Sequence, residues 1–235
     1  LTITEENDPP TADAGISITT DEDTNGGTEL TGNDGDSWTS DVDYQTLSYA
    51  IVDSTVHGIL TLNEATGSVS YVPDLNYNGV DSFTFRVTDD GTTDGSPDPL
   101  TSASASVSIT VNAVNDAPIL NTISAQETSE EDDITVTLTA SDVDIVTNGQ
   151  SLSFSATSSD ESMVMVSTSL TSDDSTATLT LDVQANANGE VTVSVIVSDG
   201  EGETDSQDFV LTITEENDPP TADAGISITT DEDTN

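Results

Sequence analysis

The chain of 235 residues sets 46 acidic side chains against one cation, Arg86, and has one histidine and no cysteine, for a formal net charge of −45. Like-charge repulsion excludes nucleic acid and anionic membrane as partners, and the lack of cysteine excludes a disulfide framework. No apolar run is long enough to span a bilayer and nothing resembles a signal peptide, so no membrane insertion by this segment is expected.

Residues 1–25, LTITEENDPPTADAGISITTDEDTN, return unchanged at 211–235. Identity of that length marks a window on a repetitive array with a period of 210 residues. Inside the period, the tags NDPP (7–10), NDAP (115–118) and NDPP (217–220) set off two modules of ordinary domain size. The expected organisation is the end of a preceding repeat plus linker at 1–8, one module at 9–115, a second at 116–217, and the truncated start of the next repeat at 218–235.

Apolar residues alternate with Ser and Thr in short runs, the period-2 signature of half-buried strands. In the first module the runs are GISITT (15–20), GTELTG (27–32), LSYAIV (47–52), GILTLN (58–63), SVSYVP (68–73), DSFTFRV (81–87) and SASVSITVNA (104–113). In the second they are LNTISA (120–125), ITVTLTA (134–140), LSFSAT (152–157), MVMVST (163–168), TATLTLDV (176–183), VTVSVIV (191–197) and DFVLTIT (208–214). Seven strands in about 100 residues predict an all-β chain of two tandem immunoglobulin-like sandwiches joined end to end. The core must rest on aliphatic and tyrosine packing alone.

The acids then fall into place by strand direction. If the seven strands of a module, A to G, reverse in turn, the A–B, C–D and E–F loops share the exit pole. The B–C, D–E and F–G loops share the entry pole. In module 1, DED (21–23) and PDLNYNG (73–79) lie at the exit; DVD (41–43) and TDDG (88–91) lie at the entry. Module 2 repeats this with EED (130–132) and NANG (186–189), then DVD (142–144) and SDG (198–200). At the junction, Glu22 and Asp74 of the upper module, Asn115 and Asp116 of the linker, and Asp142, Asp144 and Asp199 of the lower one are expected to converge. Unneutralised carboxylates there would repel. Calcium, which takes 6–8 oxygens in flexible geometry, would reverse the sign, whereas magnesium keeps its water. A purely solubilising surface would scatter its acids along strand faces; these sit in polar loops. Partial sites are expected at the ends: Asn7, Asp8, Asp41, Asp43 and Asp89 at the entry, and Glu131, Asn217 and Asp218 at the exit. Residues 1–4 duplicate strand G (211–214) without a sandwich to join, so they are expected to fray.

The pattern NDPP…TTDEDT…SDVD…HGILTLN…GSVSYVPDLNYNGVDSFTFRVTDDG…VSITVNAVNDAP resembles the bacterial cadherin-like repeats of large repeats-in-toxin (RTX) adhesins along nearly all of module 1. NDAP…SEEDD…SDVD…ATSSD…ANANGEVTVSVIVSDGEG resembles a sister type. The resemblance implies an extracellular β-sandwich extender on a bacterial cell surface, serving adhesion and biofilm formation, with interdomain calcium. It also implies ligands at an early Glu, an E–F acid, the linker, a DxD and a late Asp, here Glu22, Asp74, Asn115/Asp116, Asp142/Asp144 and Asp199. The second E–F loop departs from the pattern: QANANGE offers Asn186, Asn188 and Glu190, which implies a weaker exit site.

Other residues read as structural. His57 has no nucleophile or second histidine beside it in sequence and is expected in a turn. Arg86 reads as a strand residue with an acidic neighbour, and Trp38 as packing over the B–C loop. The segment from Asp34 has Thr39 and Gln45 where an EF-hand needs Gly and Glu. DDGTTDGSPD (89–98) reads as a flexible F–G loop or a seat for an extra ion. With nine aromatics no substrate cleft is evident and no enzyme is expected. The leading expectation is a monomeric spacer whose partners are calcium ions and neighbouring repeats of its own chain. The alternative is a glycan-binding or homophilic adhesion module, which would need an exposed aromatic or apolar platform.

Overall fold

The structure is a computed structural model that describes residues 7–35, 45–145, 149–170, 175–220 and Gly225. Two compact units meet between Val114 and Asn115.

The first unit contains β1 (Thr11–Ala12), β2 (Ser17–Asp21), β3 (Gly26–Glu29), β4 (Gly32–Asn33), β5 (Ser48–Asp53), β6 (Gly58–Leu62), β7 (Ser68–Pro73), β8 (Gly79–Thr88), β9 (Thr92–Thr93), β10 (Ser96–Pro97) and β11 (Ala105–Asn112). One sheet has the order β2-β11-β8-β5, with β2 parallel to β11; the other is β3-β7-β6. A short ladder of β1 with β4 and a β9–β10 hairpin complete the unit. The alternation read from the sequence is the observed burial: β11 runs buried–exposed through all eight residues. Ile18, Leu30, Tyr71, Phe83, Phe85, Val87, Val107 and Ile109 form the core between the sheets.

The second unit contains β12 (Ile119–Leu120), β13 (Gln126–Ser129), β14 (Ile134–Ser141), β15 (Ser153–Ser158), β16 (Val164–Leu170), β17 (Thr176–Val183), β18 (Gly189–Ser198) and β19 (Thr204–Thr214). Its sheets are β13-β19-β18-β15, with β13 parallel to β19, and β12-β14-β17-β16. Its core is separate and more aliphatic, built around Leu138, Leu179, Leu181, Val193, Val195 and Leu211.

The two units thus share one topology; GISITT (15–20) is observed as β2, with β1 an additional short strand before it, whereas the strand expected over 120–125 is corrected. The edge segment pairs with one sheet (β1 with β4, β12 with β14), then crosses to the other (β2 with β11, β13 with β19). Residues 121–125, read as strand, are that crossover. Leu120 and Ile123 both reach the core from it, a spacing of three that a continuous strand would place on opposite faces. GTELTG is broken likewise at Leu30, buried where β3 gives way to β4.

His57 lies in the bend before β6, as its turn reading expects, and stacks on Tyr77 with ring centroids 4.2 Å apart. The bend is held by Asp81. Its Oδ1 accepts from the Val56 and Ser82 amides, and its Oδ2 from the His57 amide and the Tyr71 hydroxyl. Burial opposes the charge, but the donors of His57, Ser82, Val56 and Tyr71 outweigh it and hold the carboxyl below its ordinary value. Burial and Asp81 together push the Tyr71 phenol upward. Arg86 is exposed on β8, opposite Ala50 of β5.

Two separate cores predict two separable unfolding events. Leu179→Ala should cost about 2–5 kcal/mol in the second unit only, lowering one of two calorimetric transitions and leaving the other in place. The depressed Asp81 carboxyl adds a pH term. Its stabilisation is present above the unfolded aspartate value of about 3.9 and is lost as pH falls through the lower folded value. Asp81→Asn replaces an acceptor oxygen by a donor, and should destabilise the first unit by about 1–3 kcal/mol near neutrality. The variant should also flatten the acid limb of its urea-midpoint profile; an unchanged limb would assign that loss to other carboxylates.

Candidate functional site

The entry poles of the two units are built alike. In the first unit, Asn7 Nδ2 donates to Asp89 Oδ1 at 3.1 Å, while Gln45 Nε2 donates to Asn7 Oδ1 at 2.8 Å. In the second, Asn115 Nδ2 donates to Asp199 Oδ2 at 2.7 Å and Gln150 Nε2 to Asn115 Oδ1 at 2.6 Å. A linker asparagine is thus gripped between a glutamine from the B–C loop and an aspartate from the F–G loop. The DxD-to-Gln segment is four residues longer in the second unit, yet the same relay forms.

Each aspartate also organises its own loop. Asp89 Oδ1 accepts from the amides of Gly91 and Leu100. Asp199 Oδ1 accepts from Glu201, Gly202 and Glu203. The Asn115 amide, against the opposing effect of burial and aided by these three N–H groups, holds the Asp199 carboxyl below its ordinary value. The linker reaches the DxD motif too: the Asp116 amide donates to Asp144 Oδ2, and the Asp144 amide to Asp142 Oδ1.

Two carboxylate oxygens at these poles are buried and meet no hydrogen-bond donor among the described residues: Asp89 Oδ2 and Asp142 Oδ2. Asp89 as a whole is 3% exposed. A buried, unmet carboxylate oxygen is costly in water-excluded surroundings. Something that donates positive charge would relieve it, and the one guanidinium of the chain lies mid-strand on β8.

The exit poles also match. Glu22 is buried, and its Oε1 accepts from the Val114 amide at 2.6 Å as the chain leaves β11. Asn78 Nδ2 lies 3.4 Å from its other oxygen. In the second unit the buried residue is Glu130, whose Oε1 accepts from the Glu216 amide at 2.7 Å. Glu131, the residue singled out from the sequence, is exposed with φ 65°, in the place that Asp23 (φ 56°) holds in the first unit. The counterpart of Glu22 is therefore Glu130.

Of the remaining candidates, Asp8, Asp74, Asn217 and Asp218 are exposed; Asn115, Asp116 and Asp142 are half-buried; Asn7, Asp144 and Asp199 are buried. Asp41, Asp43, Trp38 and residues 1–4 lie outside the described residues. Among the described residues, no three His, Cys, Asp or Glu side chains gather into a metal-holding group. No helix is long and apolar enough to cross a membrane among them. Sequence reasoning missed Gln45, Gln150 and Glu130. The glutamines carried a signal, since QTLS (45–48) and QSLS (150–153) precede corresponding strands.

The family described as bacterial Ig domain matches residues 7–112 and 115–212, one match per unit. No curated protein matches the chain. Among solved structures, extracellular cadherin domains 1–5 of protocadherin gamma B2 align at TM-score 0.55 and 16% identity, covering 92% of this chain and 41% of that one. Domains 1–4 of protocadherin gamma B7 align at 0.52 and 15%, covering 89% and 51%. At such identity the likeness is one of fold. An endo-fucoidan hydrolase of glycoside hydrolase family 107 aligns at only 0.33 and 17%, covering 89% of this chain and 29% of that one. The chain spans about half or less of the structures it matches.

The Asn–Asp grip is testable without any ligand. In chelator, Asn115→Ala should let the Asp199 carboxyl climb toward the ordinary aspartate range, read by NMR titration of its carboxyl resonance. An unmoved value would mean that the loop amides alone hold it.

Proposed function

The chain belongs to the bacterial Ig domain family as a tandem pair, and from that premise we propose that it is a structural extender of a repetitive bacterial surface adhesin, stiffened by calcium at its linkers. The repetition supports a rod: many equivalent modules suit a spacer, while a ligand site needs only one. The resemblance to RTX adhesin repeats supports the setting, which is extracellular, with adhesion and biofilm formation as its use. The observation that carries the calcium reading is the pair of buried carboxylate oxygens, Asp89 Oδ2 and Asp142 Oδ2, left without a donor at matching poles.

Hard oxygen donors of this kind suit calcium. The residues that would hold it are Glu22 and Asp74 from the module before a linker, Asn115 and Asp116 from the linker, and Asp142, Asp144 and Asp199 from the module after it. Asn7, Asp8, Asp41, Asp43 and Asp89 would serve the preceding junction. At the following one, Asn217 and Asp218 would act with Glu130, which takes over from Glu131 as the equivalent of Glu22. Bound calcium supplies the positive charge that the sequence lacks. The protein's part is to present oxygens from three chain segments, so that binding favours only the geometry in which all three approach.

A hundredfold excess of calcium over its dissociation constant would favour that geometry by about 2.7 kcal/mol. Calcium in the millimolar range should raise the melting temperature, and chelator should shorten or broaden the particle dimensions in small-angle scattering. Sodium chloride, which screens without coordinating, should not substitute. Asp116→Ala should weaken calcium binding in calorimetric titration while both units stay folded. Melting temperature and dimensions indifferent to chelator would leave the acids as a solubilising surface and end the calcium reading. Glycan-array binding or concentration-dependent sedimentation would favour the alternative, a glycan-binding or homophilic adhesion module.

A further inference from the structure

The two linkers are not held alike, and the difference is a six-residue device in one F–G loop. Between Gly91 and Asp98 the first unit inserts the β9–β10 hairpin, closed by Asp94 (φ 51°) and Gly95 (φ 74°). Two successive positive φ values make the tight turn that suits a two-residue hairpin. The second unit has no counterpart: Ser198 to Thr204 runs directly from β18 to β19.

The hairpin grips the linker from above. The Asn7 amide donates to Thr93 Oγ1 at 3.2 Å, and the Thr93 hydroxyl donates to Asp98 Oδ2 at 2.8 Å. Asn7 Nδ2 donates to the Asp98 carbonyl at 2.6 Å. The loop closes so tightly that a Cβ on Gly91 would collide with the Asn7 side-chain amide. Asn7 is buried in consequence, whereas Asn115 is half-buried.

The chain carries its own control. Asn217 sits in the same local sequence, EENDPP, as Asn7. There the asparagine is exposed, and its side chain turns to the Asp218 carbonyl. Local sequence therefore does not bury this residue; the module that follows it does.

We propose that the β9–β10 hairpin is a clasp that fixes the NDPP linker to the module it enters, with Thr93 as its positioning residue and Gly91 as its seat. In the array only every second linker is then clasped, and the NDAP linkers are held without a hairpin, by the Gln150–Asn115–Asp199 relay and the Asp116–Asp144 hydrogen bond. The two modules of the 210-residue period thus hold their entering linkers differently. The clasp needs no metal, so it stands apart from the calcium reading.

Backbone hydrogen exchange by NMR on the whole chain, in chelator and again in calcium, tests it. Asn7 and Asn217 share intrinsic exchange rates because their neighbours are identical. The Asn7 amide should exchange much more slowly than that of Asn217, in chelator as in calcium. Thr93→Val should speed Asn7 exchange roughly fivefold or more, Thr93→Ser should restore it, and the amides of Asn115 and of the β8 core should not change. Replacing Thr92–Pro97 by a short Gly-Ser turn should remove the Asn7 protection outright. Asn7 exchanging as fast as Asn217 in the unaltered chain would overturn the clasp. So would protection that appears only with calcium, or a Thr93→Val variant without effect on Asn7.

Discussion

The constraint on which the structure depends is the lack of cations. With 46 carboxylates and one guanidinium, the fold cannot neutralise its buried acids by ion pairs. It surrounds them with N–H and O–H donors instead. Asp81, Asp199, Glu22 and Glu130 all sit where a loop or linker exposes unpaired backbone amides, and each carboxylate takes them. Hydrogen bonds to a charged acceptor are stronger than neutral ones, so the acids do the tying that disulfides do in many small extracellular domains. The positions where no donor arrives among the described residues, Asp89 Oδ2 and Asp142 Oδ2, then stand out as exceptions to the rule.

This arrangement divides labour within each module. The sheets are held mainly by apolar burial: Ile18, Phe83 and Phe85 in the first unit, and a Leu and Val core in the second. The poles are held by carboxylates and amides. A change at a pole can therefore alter how a linker is held without reaching the core, as the unequal grips on Asn7 and Asn115 illustrate.

Most of the fold was legible because the alternation of Val, Ile and Leu with Ser and Thr has one physical cause, a strand with one wet face. The split first strand was not, since a crossover between sheets buries residues at spacing three and imitates a weak strand. That the chain holds two tandem domains followed from the NDPP and NDAP tags. Glu130 could not be told from Glu131 in SEEDD; that choice is made by the pairing of Ser129 with Thr214, which sets which glutamate faces the departing chain. Gln45 and Gln150 were passed over because a neutral amide carries no charge signal. The β9–β10 hairpin announced itself as an Asp-Gly pair, but was read as a flexible loop or a seat for an extra ion because the flanking Thr-Thr and Ser-Pro are too short to show alternation.

The placement of Arg86 has a consequence for proteolysis of this chain. An endoprotease that cuts after lysine or arginine finds one peptide bond per 210-residue repeat. That bond lies inside β8, where Arg86 and Val87 pair with Ala50 and Tyr49 of β5, one residue beyond the end of the β11 ladder at Phe85. Cleavage must wait for the strand to leave its sheet, and so follows the rare population of opened modules rather than the abundance of the enzyme's usual targets. Trypsin-like digestion has almost no purchase on these 235 residues.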